Sequence, residues 1–246
     1  MTLTAESLAN ALNQRPHQFY AQVSSTQDIA FDWLKNDAPA GAVVIADEQV
    51  GGRGRQGRGW HNPAGQAIAL SMILKPQPSQ LSQITMLGAL AISDVLRGLG
   101  AQDVGIKWPN DVLLNGKKVC GVLPEALWDG DKLRGVVLGM GMNVRVDFTG
   151  TELAERAISV ETALGKSVER TAIVAQVLVR LDHWRNLLGS EALLQAWKAR
   201  LVSLSQRVIV GEVTGIAENV DDEGALLIRT EDGILRRVVA GELTTG

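Results

Sequence analysis

The sequence predicts an α/β (α+β) fold in which a mixed sheet with flanking helices is followed by a small all-β module. Two observations predict it. Over most of the chain, short apolar runs with the length of buried strands alternate with segments of helical spacing. After residue 204, β-branched residues and closely spaced turns dominate instead. The length of 246 residues suits one large domain with a small appendage, so we place the domains at residues 1–203 and 204–246.

Helices are predicted where apolar residues recur at three- and four-residue intervals. The pair Ser25-Thr26 offers an N-cap for one of them, and Gly98 and Gly100 close another. The predicted helices cover residues 3–12, a segment that begins after Ser25-Thr26, and residues 81–99, 173–188 and 191–201.

Strands are predicted from short apolar runs that turn residues interrupt. Asn115-Gly116 is a strong hairpin signal, and Pro124 indicates a sheet edge or a bulge, because proline donates no ladder hydrogen bond. The predicted strands cover residues 42–46, 67–74, 104–108, 112–114, 118–125 and 133–143, and four or five more follow residue 207.

Composition excludes several classes of protein. Hydrophobic residues make up 46% and charged residues 21% of the chain, as in ordinary globular proteins. A net charge of −3 argues against a general nucleic-acid binder. One cysteine allows no internal disulfide, and no signal peptide or membrane-spanning run is evident. We therefore expect a cytoplasmic protein without nucleic-acid or membrane partners.

The most informative segment is residues 51–60, called the Gly/Arg loop here, in which glycines and arginines alternate before Trp60. Glycines make a loop costly to order, and arginines present forked donors suited to phosphate or carboxylate. The combination predicts a lid that orders over an anion. A single-strand nucleic-acid tract and a plain solvated loop are the alternatives, although such tracts normally occur in disordered chains.

A second group of polar residues lies among apolar strands. It consists of residues 107–111, which read Lys-Trp-Pro-Asn-Asp, and of the pair Lys117-Lys118. An ammonium group among apolar residues is costly unless an anion pairs with it, although a lysine at a strand end could simply reach solvent. Together with the Gly/Arg loop, these residues indicate convergence on one anionic ligand.

The cysteine and the histidines suggest no further chemistry. Cys120 has no histidine-containing partner motif, so we interpret it as a core residue rather than a nucleophile. His17, His61 and His183 lack the spacing of metal ligands, and we assign no zinc or iron site.

Several motifs, in the same order, resemble the catalytic core of biotin protein ligases. They are Ser25-Thr26-Gln27, Gln49-x-x-Gly52-Arg53-Gly54-Arg55-x-Gly57-Arg58-x-Trp60, residues 107–111, Lys118-x-x-Gly121-x-Leu123-x-Glu125 and Gly139-x-Gly141-x-Asn143. The tail is similar to the family's C-terminal domain. The resemblance implies a catalytic domain like that of class II aminoacyl-tRNA synthetases and biotin ligases, followed by an SH3-like barrel.

The resemblance also implies the activity. Biotin would attack the α-phosphate of ATP, with Mg²⁺ on the nucleotide, to give biotinyl-5′-AMP. A lysine of a biotin carboxyl carrier protein, that of acetyl-CoA carboxylase by resemblance, would then take the biotin and release AMP. A homodimer is a further expectation.

Site roles follow from the same resemblance. Lys118 and Arg55 would be catalytic, and Asp111 would meet the magnesium ion. The residues implied for biotin are Ser25, Thr26, Gln27, Gln49, Arg53, Gly54, Arg55, Trp60 and Lys118. Those implied for ATP are Arg55, Arg58, Lys107, Asn110, Lys118 and Asn143. Trp60 could instead be a plain core residue, and residues 144–155 would form a second mobile loop.

Departures and rivals complete the prediction. The 24 residues before Ser25 are too few for the DNA-binding domain of some relatives, so no operator-binding repressor is expected. Gly59 stands where relatives keep a larger or charged residue, which would loosen the lid. A lipoate–protein ligase is the nearest rival, and a non-enzymatic protein that binds an anion or single-stranded nucleic acid is the rival from another class.

Overall fold

The computed structural model describes residues 3–245. A seven-stranded sheet forms the first domain, and its strands are β1 His17–Val23, β2 Val43–Gln49, β3 Ala67–Leu74, β4 Val104–Lys107, β5 Asp111–Leu114, β6 Lys117–Asp129 and β7 Lys132–Asn143. The helices are α1 Ala5–Ala11, α2 Thr26–Lys35, α3 Ile84–Gly98, α4 Val160–Leu164, α5 Arg170–Arg185 and α6 Glu191–Lys198, with short 3-10 helices at Arg55–Gly57 and Pro78–Gln83.

The spatial order of the sheet is β1-β2-β3-β7-β6-β5-β4, and β1–β2 is its parallel pair. Strand β3 is buried along its whole length, because helices cover both faces. Its even-numbered residues face the main core with α3 and α5, whereas Ile73 packs with Ala30 and Leu34 of α2. The predicted α/β fold with a mixed sheet is therefore confirmed.

The face that carries α2 also carries the candidate site. The pairing register places Gly139 of β7 opposite Ser71 of β3, and Gly141 of β7 opposite Gly121 of β6. Helix α2 begins above these positions. The Ser25 side chain caps this N-terminus by accepting from the Gln27 backbone N–H. The polar end of α2 is thereby set over a strip of small residues.

A second sheet follows, made of β8 Arg207–Val210, β9 Val213–Val220, β10 Leu226–Thr230, β11 Leu235–Val238 and β12 Leu243–Thr245. It is antiparallel, in the order β11-β10-β9-β8-β12, and its five strands agree with the prediction of four or five. The sheet docks on the first domain, because Trp108 Nε1 donates to Gly224 O at 3.0 Å. Its closure into an SH3-like barrel stays a prediction.

Most predicted elements are present, and the differences have local causes. Asn115 and Gly116 both have positive φ, 52° and 73°, in the expected hairpin turn. Pro124 lies beyond the segment of β6 that pairs with β5, so it occupies a sheet edge as predicted. Strand β1 and the short helix α4 were not predicted; β1 is half-buried and lacks a clear apolar pattern.

Among residues 3–245, no helix is both long and apolar enough to cross a membrane.

Candidate active site

A cavity of about 440 Å³ opens on the face of the sheet that carries the N-terminus of α2. The Gly/Arg loop, β6, β7 and residues 241–243 at the start of β12 surround it. Every residue that the sequence predicted for the site lines this cavity: Ser25, Thr26, Gln27, Gln49, Arg53, Gly54, Arg55, Arg58, Trp60, Lys107, Asn110, Asp111, Lys118 and Asn143. Segments far apart in the chain thus meet at one place, while the role of each residue stays a prediction.

Glycines form the floor of the cavity. A Cβ added at Gly141 would lie 2.3 Å from the Trp60 ring, and one at Gly139 would lie 2.8 Å from the Gln27 amide carbon. At Gly121 it would lie 3.2 Å from the same indole. Side chains at these positions would collide with the residues above them, so the Gly-x-Gly spacing on β7 serves close approach.

Trp60 forms a wall of the cavity and is half-buried. Its ring lies over Gly121 and Gly141, and the Lys118 ammonium is 5.5 Å from the ring centre. Its indole nitrogen is buried without a hydrogen-bond partner among the described residues. This position on the cavity surface disfavours the plain-core alternative; packing over biotin's tail stays a prediction.

A group of hydrogen-bonded side chains, called the polar network here, lines one end of the cavity. It comprises Thr26, Gln27, Gln49, Ser71 and Glu125. Gln49 Oε1 accepts from the Thr26 backbone N–H at 2.8 Å and lies 3.0 Å from the Thr26 hydroxyl. The Thr26 hydroxyl is also 2.8 Å from that of Ser71, which lies 3.0 Å from Gln27 Oε1.

The polar network ends at carboxylates. Gln27 Nε2 donates to Glu125 Oε2 at 2.7 Å and to Leu123 O at 3.2 Å. Arg53 lies 3.6 Å from Glu125 and 2.6 Å from Asp28, and its hydrogen bond to Asp28 raises the pKa of the guanidinium. Arg53 thus pairs with carboxylates at the cavity mouth in this structure, and its predicted contact with biotin stays untested.

Cationic side chains line the other end of the cavity. Lys118 Nζ lies 2.7 Å from Asp111 Oδ1. Arg55 donates to Asn110 Oδ1 and to Gly241 O, each at 2.9 Å. Burial lowers the pKa of Arg55, but an arginine stays protonated at neutral pH. This end therefore brings the cationic groups of Lys118 and Arg55 together, with the Asp111 carboxylate beside Lys118.

A β-bulge aims Lys118 into the cavity. Val112 pairs with Cys120, and Leu113 pairs with Lys118, so Val119 is an extra residue on β6. Regular alternation would place Lys118 on the same face as Cys120, which is buried in the core. The extra residue turns Lys118 toward the face of Gly121, whose added Cβ would lie 3.4 Å from Lys118 Nζ.

The second sheet closes the cationic end. Arg58 Nη1 donates to Glu242 Oε1 at 2.6 Å, and this hydrogen bond lowers the pKa of Glu242. Gln56 and Gly57 have positive φ at the tip of the loop, and Arg53 pairs with Gly59 across its base. The Gly/Arg loop thus folds as a small hairpin against the second sheet; whether it is mobile without a ligand stays a prediction.

Asn143 marks the end of the glycine strip. It is buried, with Nδ2 3.5 Å from Lys118 O and 3.4 Å from Ile158 O. The segment that follows begins in the core, since Val144 and Val146 are buried, whereas Phe148 and Leu153 line the cavity. The predicted mobility of residues 144–155 can therefore concern only the part after Val146, and it stays a prediction.

Three contributors had no role in the sequence-based prediction. Ser71 lies in an apolar strand, and the signal was its isolation there as a polar residue. Glu125 belonged to a quoted motif without an assigned role. Glu242 belongs to the second domain, and no sequence signal connected that domain with the Gly/Arg loop.

The arrangement suits a ligand with a neutral polar head and an anionic end. Along β7, Gly139 lies below the polar network, Gly141 below the indole, and Asn143 beside Lys118. Extended strand of that length spans about 13 Å. Positive charge at the cationic end could bring two anions together and stabilise the charge that develops between them.

Comparisons with known proteins agree with this arrangement. Residues 19–143 match the model of the biotin/lipoate A/B protein ligase family, and residues 207–243 match that of the biotin protein ligase C-terminal domain. The bifunctional ligase/repressor BirA of Bacillus spizizenii is 34% identical over 94% of this chain and 74% of its own length. The biotin–[acetyl-CoA-carboxylase] ligase of Paracoccus denitrificans is 37% identical over 78% of this chain and 85% of its own.

A solved structure extends the likeness to the fold. The biotin protein ligase from Aquifex aeolicus in complex with biotin and ATP superposes with a TM-score of 0.81 at 28% identity. The superposition covers 94% of this chain and 98% of that one.

Proposed function

The chain belongs to the biotin/lipoate A/B protein ligase family, and we propose that it is a biotin protein ligase. It activates biotin with ATP to biotinyl-5′-AMP and then transfers biotin to a lysine of a carrier protein. The observation that supports this best is the single cavity in which the polar network and the Lys118–Arg55 end are joined by the glycine strip under Trp60.

The first half-reaction joins two anions. A carboxylate oxygen of biotin attacks the α-phosphorus of ATP; the new O–P bond forms as the bond to the β-phosphate oxygen breaks, and pyrophosphate leaves. Lys118 and Arg55 are the proposed catalytic residues, because both cationic groups line the same end of the cavity. Donors fixed before the reaction stabilise developing charge without reorganisation.

The second half-reaction consumes the mixed anhydride. The uncharged amine of the carrier lysine attacks the acyl carbon; the C–N bond forms, the C–O bond to phosphate breaks, AMP leaves and the amine loses a proton. Arg55, held by Asn110 and Gly241 O, is positioned to retain the adenylate until the carrier arrives. The proposed lid function of the Gly/Arg loop depends on this contact.

The ATP part of the proposal rests on residues around the cationic end. We assign contacts with the nucleotide to Arg55, Arg58, Lys107, Asn110, Lys118 and Asn143. Magnesium would enter with the triphosphate. Within residues 3–245, no group of three acidic, cysteine or histidine side chains could hold a metal ion by itself, but Asp111 offers one carboxylate. That suits an ion that keeps its waters and phosphate oxygens as its main ligands.

Discrimination between biotin and lipoate should come from the polar network. The biotin head is a cyclic urea with N–H donors and a carbonyl acceptor, whereas the dithiolane ring of lipoate offers neither. A lipoate head would leave unused the hydrogen-bonding capacity that Ser25, Thr26 and Gln49 present to the cavity, which costs much more than a missing apolar contact.

The adenylation assay tests this proposal against both rivals. The purified chain with ATP, Mg²⁺ and biotin should release pyrophosphate, and lipoate should not replace biotin. Release with lipoate alone would indicate a lipoate ligase. No release with either acid, together with binding of single-stranded nucleic acid, would indicate the non-enzymatic alternative.

Further assignments complete the proposal. We assign the biotin carboxyl carrier protein of acetyl-CoA carboxylase as the carrier and the cytoplasm as the compartment. A homodimer and the absence of repressor activity stay predictions. The domain boundary is placed at residues 203/204, which agrees with the start of β8 at Arg207.

A further inference from the structure

The two ends of the Gly/Arg loop are joined by Asn62. The β2–β3 ladder ends at the Ala46–Ala69 pair, and farther along β2 an isolated bridge joins Gln49 to Asn62. The Gln49 backbone N–H donates to Asn62 O at 3.1 Å, and Asn62 Nδ2 donates to Asp47 O at 3.1 Å. Asn62 therefore ties the chain that leaves the loop to the strand that enters it.

A buried ion pair holds the same strand. Arg170, the first residue of α5, is fully buried, and its Nη1 donates to Asp47 Oδ1 at 2.6 Å and to Ala67 O at 3.0 Å. Asp47 belongs to the strand that enters the loop, and Ala67 opens the strand that follows the loop. One guanidinium group thus holds both strands at the base of the Gly/Arg loop.

Arg170 is a costly way to stabilise a core. Its Nε and Nη2 are buried without a hydrogen-bond partner among residues 3–245, and a cation is unfavourable at the N-terminus of a helix. Apolar residues in place of a buried ion pair are often equally stable or more stable. What the ion pair does supply is a fixed distance between the two strands that flank the loop.

Asp47, Asn62 and Arg170, called the clamp here, all lie outside the cavity lining. We propose that they are positioning residues, which hold both ends of the Gly/Arg loop so that Trp60 stands over the glycine strip and the loop closes on the adenylate. The motion of the lid is then confined to the residues between Gln49 and Asn62. This inference rests on the proposed function and deepens it, because it assigns part of the retention of the intermediate to residues that do not touch it.

The kinetics of two clamp variants test this inference. Asn62→Ala removes the donor to Asp47 O, and Asp47→Asn removes the charge that pairs with Arg170. Each change should raise the KM for biotin in pyrophosphate release, and the rate at which biotinyl-5′-AMP dissociates, by roughly fivefold or more. The reason is that Trp60 and the loop lose their fixed base.

The kcat for adenylation should change much less, by about threefold at most. Lys118 lies on β6, and Arg55 is held by Asn110 and by Gly241 O, so neither cationic group depends on the clamp. A variant that only lowered the amount of folded enzyme would show the opposite pattern, a lower kcat with an unchanged KM.

The matched controls remove similar bonds elsewhere in the chain. Gln80 Nε2 donates to Leu188 O over the same 3.1 Å, and Asp94 pairs with Arg200 at 2.7 Å. Gln80 and Asp94 are both absent from the cavity lining. Gln80→Ala and Asp94→Asn should therefore keep the wild-type KM and the wild-type dissociation rate.

Tryptic cleavage supplies a second measurement, because the loop carries Arg53, Arg55 and Arg58. With biotin and ATP present, cleavage within the loop relative to cleavage elsewhere should rise in the clamp variants and not in the controls. Urea unfolding shows first which variants are folded. The clamp is wrong if the folded variants keep the wild-type KM, dissociation rate and loop cleavage, or if only kcat falls. Pyrophosphate release by the wild type shows separately whether the proposed function holds.

Discussion

The Lys118 ammonium lies 2.7 Å from the Asp111 carboxylate, at the end of the cavity where the second sheet meets the first. This pair exists because the extra residue Val119 turns Lys118 out of the core. Asp111 stabilises the ammonium, and an incoming carboxylate or phosphate competes for it. Lys118 is therefore held in position by Asp111 before the substrates bind.

Replacement of Lys118 by alanine should lower adenylation by about 10²- to 10³-fold, the usual effect of removing a group that stabilises developing charge. Pyrophosphate release in a single turnover measures it. Lys117→Ala is the control, since the Lys117 ammonium donates to Ala154 O at 2.8 Å, and Lys117 is absent from the cavity lining. Near-normal release by Lys118→Ala would remove Lys118 from the catalytic group.

Replacement of Arg55 by alanine should speed the loss of biotinyl-5′-AMP from the enzyme by roughly ten- to hundredfold, because one charge-assisted contact is lost. Release of the labelled adenylate after gel filtration measures the rate. Arg134→Ala, which removes an arginine paired with Asp37 and Asp129, is the control. Slow release from Arg55→Ala would contradict the lid function.

The change Asp111→Asn should raise the Mg²⁺ concentration needed for half-maximal adenylation, because a charged ligand becomes a neutral one. A magnesium titration at saturating biotin and ATP measures this shift. Biotin affinity should stay close to that of the wild type. A uniform loss of rate at every Mg²⁺ concentration would mean that Asp111 only holds Lys118.

Glu242→Gln should lower the free energy of unfolding by up to about 1 kcal/mol at neutral pH, since both side chains of the Arg58–Glu242 pair are half-exposed. Arg58 lowers the pKa of Glu242 in the folded chain. The contribution is therefore fully present above the ordinary glutamate pKa of about 4.3, and it is lost as the pH falls through the folded value. Urea unfolding from pH 7 to pH 3 measures it; a difference between wild type and variant that does not shrink in acid would contradict this.

The Cys120 thiol should not react with a disulfide reagent at pH 8 in the native chain. Burial raises its pKa, only partly offset by Lys118, and the thiolate is the reactive form. Unfolding in urea should expose one thiol, and Cys120→Ala should show none under either condition. Fast reaction of the native chain would contradict a core role.

Local sequence was sufficient for most of the fold. The continuous apolar run Ala67–Leu74 predicted a buried strand, and Asn115-Gly116 predicted the turn that starts β6. Strand β1 could not be predicted in this way, because its residues are half-buried at an edge of the sheet and follow no apolar period.

The candidate site was predictable as a set of residues but not as a geometry. Resemblance identified Ser25 through Asn143 as one constellation, and the cavity lining contains all of the predicted residues. It did not identify Ser71, because a serine in a strand carries no sign of which partner it meets. Nor did it identify Glu242, which reaches Arg58 from the far end of the chain.

The sequence by itself determined the family, the order of the elements and the types of side chain in the cavity, because motifs and periodicity are local properties of a chain. Tertiary structure decided which side chains form hydrogen bonds with each other and toward which face of the sheet each side chain points. Lys118 faces the cavity through a one-residue bulge, and the Ser71 hydroxyl of β3 lies within hydrogen-bond distance of both Thr26 and Gln27 of α2. Both depend on contacts between residues distant in sequence, which local pattern does not encode.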